Sequence, residues 1–143
     1  MTYSNITDTY AVSGQITPAD LAGIKAAGFG TVICNRPDAE NPPALQAEAM
    51  RAEAEAEGLA FVDNPFSHQS FSLDLVDRQT EALAAADGPV FAYCASGNRC
   101  SVLWAMGRVK SGEMTPEAAI NSAAEAGYDL SGLKMQLSAL APG

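Results

Sequence analysis

Four short apolar runs, "YAVSGQI" at 10–16, "GTVICN" at 30–35, "LAFVDNP" at 59–65 and "PVFAYC" at 89–94, alternate with longer stretches of helical composition. Strands separated by helix-length connections pair in parallel, with the crossover helices covering the sheet. The rhythm therefore predicts an α/β fold with a mainly parallel central sheet flanked by helices. "PVFAYC" is short and apolar throughout, which predicts a buried central strand. Thr17-Pro18 and Thr115-Pro116 supply helix start signals, Ser72 a further cap, and Gly28, Gly58 and Asp87-Gly88 the stops. "ALQAEAMRAEAEAEG" reads as a helix with a solvated face, and the terminal "LSGLKMQLSAL" as an amphipathic helix packed as a lid over the sheet.

A chain of 143 residues suits one core, and the strand-helix rhythm runs on across Pro42-Pro43, so residues 1–143 are read as a single domain. Net charge −9 repels nucleic acid and anionic membrane surfaces. No apolar run approaches the roughly 20 residues that span a bilayer. The polar start "MTYSNITDTY" lacks the regions of a secretion signal, so a soluble, cytoplasmic protein is expected. Three cysteines and one histidine show no metal-ligand spacing and no disulfide framework, and neither a metal nor a cofactor is expected.

The stretch "YCASGNRC" at 93–100 carries the chemistry. It lies between a predicted strand and a helix beginning near Cys100, at the carboxyl end of a strand, where open α/β sheets bind ligands. Ala95, Ser96, Gly97 and Asn98 form a small-residue loop whose backbone N–H groups can turn inward on an oxyanion, with Gly97 free to take positive φ. The helix N-terminus adds its positive end, which also favours a thiolate at Cys94. Arg99 offers a two-pronged donor. Cys94 is thus the candidate nucleophile and Arg99 the oxyanion clamp. Cys100 reads as core; so does Cys34, with a resolving thiol for Cys94 as the alternative. Asn35, Arg36 and Asp38 form either a self-contained turn bent by Pro37 or a support for the active loop.

Three stretches, "GQITPADLAGIKAAGFGTVICNRPDAENP", "YCASGNRCSVLWA" and "AGYDLSGL", resemble the beta-lactamase-hydrolase-like phosphatase family, small bacterial domains related to dual-specificity and tyrosine phosphatases and sometimes labelled sulfurtransferases. The resemblance covers nearly the whole chain and rests chiefly on "NRPD" at 35–38 with "C-x-S-G-x-R" at 94–99. It implies a cysteine-phosphatase-like sheet with Cys94 as nucleophile and Arg99 as clamp. Departures from the better-known phosphatase pattern bear on the reaction. Four residues rather than five separate Cys94 from Arg99, and Tyr93 replaces the usual histidine, both as in rhodanese-type sulfurtransferases. Cys100 stands where phosphatases keep a hydroxyl, with Ser101 one place later.

The expected function is a cysteine-dependent phosphatase acting on a phosphorylated small molecule or protein. A sulfurtransferase with a Cys94 persulfide, exchanging with a sulfur donor and acceptor, is the alternative. A cradle that binds oxyanions or phosphoproteins without turnover is the third reading. A phosphatase needs a general acid for its leaving group. The candidates are His68, on the loop after "LAFVDNP", and Asp38, on the adjacent loop.

Overall fold

The computed structural model describes residues 2–67 and 69–142. Among these, five strands form one sheet in the order β1-β2-β5-β3-β4: β1 Ser4–Thr7, β2 Tyr10–Ser13, β3 Thr31–Cys34, β4 Ala60–Asp63 and β5 Val90–Tyr93. All neighbours run parallel except β1, which pairs antiparallel with β2. The mainly parallel α/β expectation holds. β5 is central, flanked by β2 and β3, and all four of its residues are buried.

Two apolar layers follow from the alternation of side chains along each strand. On one face Ala11, Val32, Phe61 and Phe91 pack under helices α1 (Leu21–Ala26) and α2 (Ala47–Ala56), which contribute Leu21, Ile24, Met50 and Ala54. On the other face Tyr10, Val12, Ile33 and Ala92 meet α3 (Leu73–Ala85), α4 (Asn98–Lys110), α5 (Pro116–Glu125) and α6 (Lys134–Leu140). α4 is buried along most of its length, because it lies on the sheet and carries α3, α5 and α6 around it.

Several boundaries differ from expectation for local reasons. The polar start forms an edge strand, β1, of which Ile6 alone is buried, so its composition carried no strand signal. Pro43–Leu45 makes a 3-10 turn and Gln46 is extended, so α2 begins only at Ala47. Ser72 stands at the start of α3 without a side-chain cap bond, whereas Thr115 Oγ1 accepts from the Ala118 N–H as the Thr-Pro signal predicts. α6 is no lid over the sheet. It packs on α4 and α5, which already cover that face.

Beneath the carboxyl ends of the strands lies a buried polar cluster. The Gln79 side chain donates to Tyr10 Oη (3.0 Å) and Asn35 Oδ1 (2.9 Å), and its Oε1 accepts from Asn35 and Asn64 Nδ2 (2.9 Å each). Asn35 also donates to the Asn64 carbonyl, Asn64 to the Leu75 carbonyl, and Tyr10 Oη to the Cys100 carbonyl at 2.8 Å. Three strand ends, α3 and the first turn of α4 are thereby fixed to one amide. Gln79→Leu leaves several buried partners unpaired, and we expect a loss of about 3 kcal/mol in urea unfolding. A loss below about 1 kcal/mol would mean that the cluster repacks without it.

Candidate active site

β5 ends at Tyr93 and α4 starts at Asn98, so residues 94–97 cross from strand to helix in one tight turn. α4 thus begins two residues earlier than anticipated. Gly97, at the cap of α4, has φ 91°, a left-handed conformation that a side chain would strain. A Cβ there would also collide with the Tyr128 hydroxyl, which donates to the Ser96 carbonyl at 3.0 Å. Gly14, just past β2, is required for a different reason: a Cβ there would stand 2.9 Å from the Ala95 carbonyl. The turn is therefore gripped by backbone on one side and by Tyr128 on the other.

Cys94 is buried at the floor of this turn. Its sulfur accepts from the Gly97 N–H at 3.0 Å. Donation from the Cys100 thiol, then from the backbone N–H groups of Cys100, Ser96 and Gly97, outweighs burial and brings its pKa down to about 5. Cys100 is displaced the opposite way, because it is wholly buried and faces the Cys94 charge. One sulfur is held as thiolate and the other as thiol donor. Cys34 lies in the opposite apolar layer from Cys94, beside Tyr93, so Cys100 and not Cys34 is the neighbouring thiol.

The Arg99 guanidinium lies against the sulfur and is anchored from outside. Nη1 donates to Glu40 Oε2 (2.9 Å) and the Phe66 carbonyl (2.8 Å), and Nη2 to Glu40 Oε1 (2.8 Å). These bonds leave the Nε–Nη2 edge unused by Glu40 and Phe66, a fork suited to two oxygens of a tetrahedral anion. Arg36 binds the same carboxylate through Nε (3.3 Å) and reaches Gln15 through Nη1 (3.2 Å). Bonding to Arg99 first, then to Arg36, holds the Glu40 carboxyl below its usual range. Two guanidiniums around one carboxylate leave the mouth cationic. That mouth, about 520 Å³, is lined by Glu40, Ser67, Gln69, Ser96, Asn98 and Arg99.

The remaining sequence candidates separate. Asn35 belongs to the buried amide cluster below the loop, and Arg36 to the Glu40 pair. Ser101 Oγ donates to the Gly97 carbonyl at 2.9 Å, bracing the turn. Asp38 Oδ1 accepts from the Ala47 N–H at 2.8 Å, committing that carboxylate to the first turn of α2 rather than to the mouth. His68 lies outside the described residues. Glu40 and Tyr128 escaped the sequence reading, although the "NRPDAENP" and "AGYDLSGL" stretches contain them. No group of three or more metal-ligating side chains stands together among the described residues.

With this geometry in hand, the chain can be set beside known proteins. The sequence pattern of the family described as Beta-lactamase hydrolase-like protein, phosphatase-like domain, matches residues 2–111. A Beta-lactamase hydrolase-like protein of Agrobacterium fabrum is 28% identical over 125 residues, 87% of this chain and 29% of the relative. The chain therefore spans less than a third of that relative's length. Among solved structures, a candidate phosphatase from Neisseria meningitidis Z2491 is 30% identical with TM-score 0.81, covering 98% of this chain and 99% of that one. TpbA of P. aeruginosa, solved as a cysteine-to-serine variant with phosphotyrosine, shares the fold: TM-score 0.62, 19% identity, 95% of this chain and 90% of that one.

Removing the thiol donor tests the electrostatic account. In Cys100→Ala the Cys94 titration, read as thiolate absorbance against a Cys94→Ser blank, should move up from about 5 by about one unit or more. An unmoved midpoint would leave the backbone N–H groups as the whole cause. Glu40→Gln, which frees Arg99, should weaken inorganic phosphate binding about tenfold, measured by calorimetry.

Proposed function

This chain belongs to the beta-lactamase hydrolase-like, phosphatase-like domain family, and from that premise we propose that it is a cysteine-dependent phosphatase acting on phosphate monoesters. The observation that carries the reading is the Cys94 sulfur held as thiolate within a turn of inward N–H groups, with a guanidinium against it. In the first step the thiolate attacks phosphorus, a P–S bond forms and the P–O bond to the leaving group breaks. Arg99, held in place by Glu40, offers its Nε–Nη2 edge to two phosphoryl oxygens, and the N–H groups of the loop and first turn of α4 take the rest. The donors already oriented for the thiolate suit the negative charge that moves onto those oxygens.

In the second step water attacks phosphorus, the P–S bond breaks and inorganic phosphate leaves. The Cys94 thiolate is then the leaving group. The Cys100 thiol, which lowers that thiolate's pKa, takes the part for which related phosphatases use a hydroxyl. The leaving alkoxide needs a proton in the first step. Glu40 is kept ionised by Arg99, and Asp38 is committed to α2, so both are poor donors. We assign the proton to His68, which in the sequence stands between Ser67 and Gln69, two residues of the mouth.

A sulfurtransferase remains the second reading, favoured by the four residues between Cys94 and Arg99. The two are separated by one paired assay, under reducing conditions, of wild-type protein and Cys94→Ser on an aryl phosphate and on thiosulfate with cyanide. We expect Cys94-dependent phosphate release, no thiocyanate, and a loss of about a thousandfold in Arg99→Ala. The acid limb of the rate profile should fall away as pH drops through about 5, where the thiolate is protonated. His68→Ala should remove the basic limb. Thiocyanate without phosphate would reverse the assignment, and Cys94-independent release would end both.

A further inference from the structure

Beside the anion site lies a second cavity of about 570 Å³ that the mechanism does not use. Asn98 and Arg99 line both. From them the cavity follows one face of α4, because Asn98, Val102 and Met106 succeed each other at intervals of four. That stripe runs from a polar end at the anion site to an apolar end about 12 Å away. Phe66 and Phe71, with ring centroids 5.3 Å apart, form one wall. Leu130 and Leu133 form the other. This second wall comes from the connection between α5 and α6, beyond the residues that the family pattern matches.

Charge in the lining is confined to Arg99 and Asp129. Arg99 stands at the anion site, Asp129 belongs to the wall formed by the α5–α6 segment, and Gln136 comes from α6. Asp129 is held ionised by bonds from the Ser131 hydroxyl (2.6 Å) and N–H (3.0 Å). A ligand that continues from the anion site thus meets aromatic and aliphatic carbon, beside a carboxylate in the wall that repels a second anionic group. A volume of this size belongs to sites that enclose a small molecule rather than one ring.

We propose that this trough holds the leaving group of the substrate, which is a small molecule bearing one phosphate and a bulky, uncharged, apolar ring system. The proposal rests on the phosphatase reading above and gives it a substrate class. It also gives the α5–α6 segment a function: Tyr128 braces the catalytic turn, and the residues after it build the specificity wall.

Two non-hydrolysable ligands test it on the whole chain by calorimetry: methylphosphonate, which fills only the anion site, and 4-biphenylphosphonate, which extends along the trough. We expect the biphenyl compound to bind about 30-fold or more tightly, and the ratio to collapse to a few-fold in Phe71→Ser and in Leu133→Ser. Equal affinities in the wild-type protein, or a ratio that neither variant changes, overturn the trough. Phosphate release from phenyl and 4-biphenylyl phosphate, with Cys94→Ser as blank, runs beside it. Cys94-dependent release at equal kcat/KM for the two esters sinks the substrate class and keeps the phosphatase. A preserved affinity ratio without release upholds the trough as a binding site and removes the phosphatase.

Discussion

Everything at the functional end of this molecule is referred to one buried amide, that of Gln79. A primary amide without access to water is costly unless all its groups are bonded, and here its partners come from β2, the segments after β3 and β4, and the carbonyl of Cys100 through Tyr10. Hydrophobic burial alone would hold α3 and α4 on the sheet but would tolerate sliding by fractions of a residue. Directional bonds at about 3 Å do not. The register that places Cys100 under the Cys94 sulfur is thus set from below, by polar groups that never meet a substrate.

The thiolate then stands in apparent conflict with the rest of the chain, whose net charge is −9. Distance resolves the conflict. Surface carboxylates act through water and salt and are screened within about 8–10 Å, whereas the N–H groups and the Cys100 thiol act at contact, in a dry turn. The nearest carboxylate, Glu40, is shared between Arg36 and Arg99, so that group of three carries a net positive charge. An acidic surface around a cationic mouth disfavours heavily phosphorylated ligands at long range while leaving a single phosphate its contacts at short range.

How much of this could be read from the sequence depends on whether a feature is local. The parallel sheet, the central position of β5, the positive φ of Gly97 and the strand-turn-helix setting of Cys94 and Arg99 follow from periodicity, glycine and neighbours in the chain. β1 escaped because an edge strand with one buried side chain has no apolar alternation to show. Glu40 escaped because its meaning comes from Arg99, far along the chain, and in isolation it is one more acidic residue in an acidic protein. Asp38 could not be placed for the same reason: a carboxylate in a loop beside the site is as well suited to bonding the start of the next helix, as it does here, as to donating a proton. Cys100 looked like core, and it is core. Its effect on Cys94 arises because one helical turn brings the thiol round beneath the sulfur.

The short loop looks at first like a defect for phosphate chemistry, since it has one residue fewer to supply N–H groups. The structure makes up the difference from the helix. The first intrahelical bond of α4 is from Ser101 to the Gly97 carbonyl, so the N–H groups of Asn98, Arg99 and Cys100 precede the hydrogen-bonded ladder; that of Asn98 donates to Ser96 Oγ at 3.3 Å, and those of Arg99 and Cys100 serve the turn. Starting α4 at Asn98 moves these donors into the place that a longer loop would occupy, and the helix dipole comes with them. Loop length alone therefore does not decide between sulfur and phosphorus chemistry. Both need a stabilised thiolate. They differ in what must be held beyond it, and here that means a guanidinium fork that Glu40 and Phe66 leave open and an apolar trough beside it. A thiosulfate donor would use the same tetrahedral clamp, so the room beyond it is what distinguishes the two: a phosphate ester with a ring-bearing leaving group uses that room, and a sulfane sulfur does not.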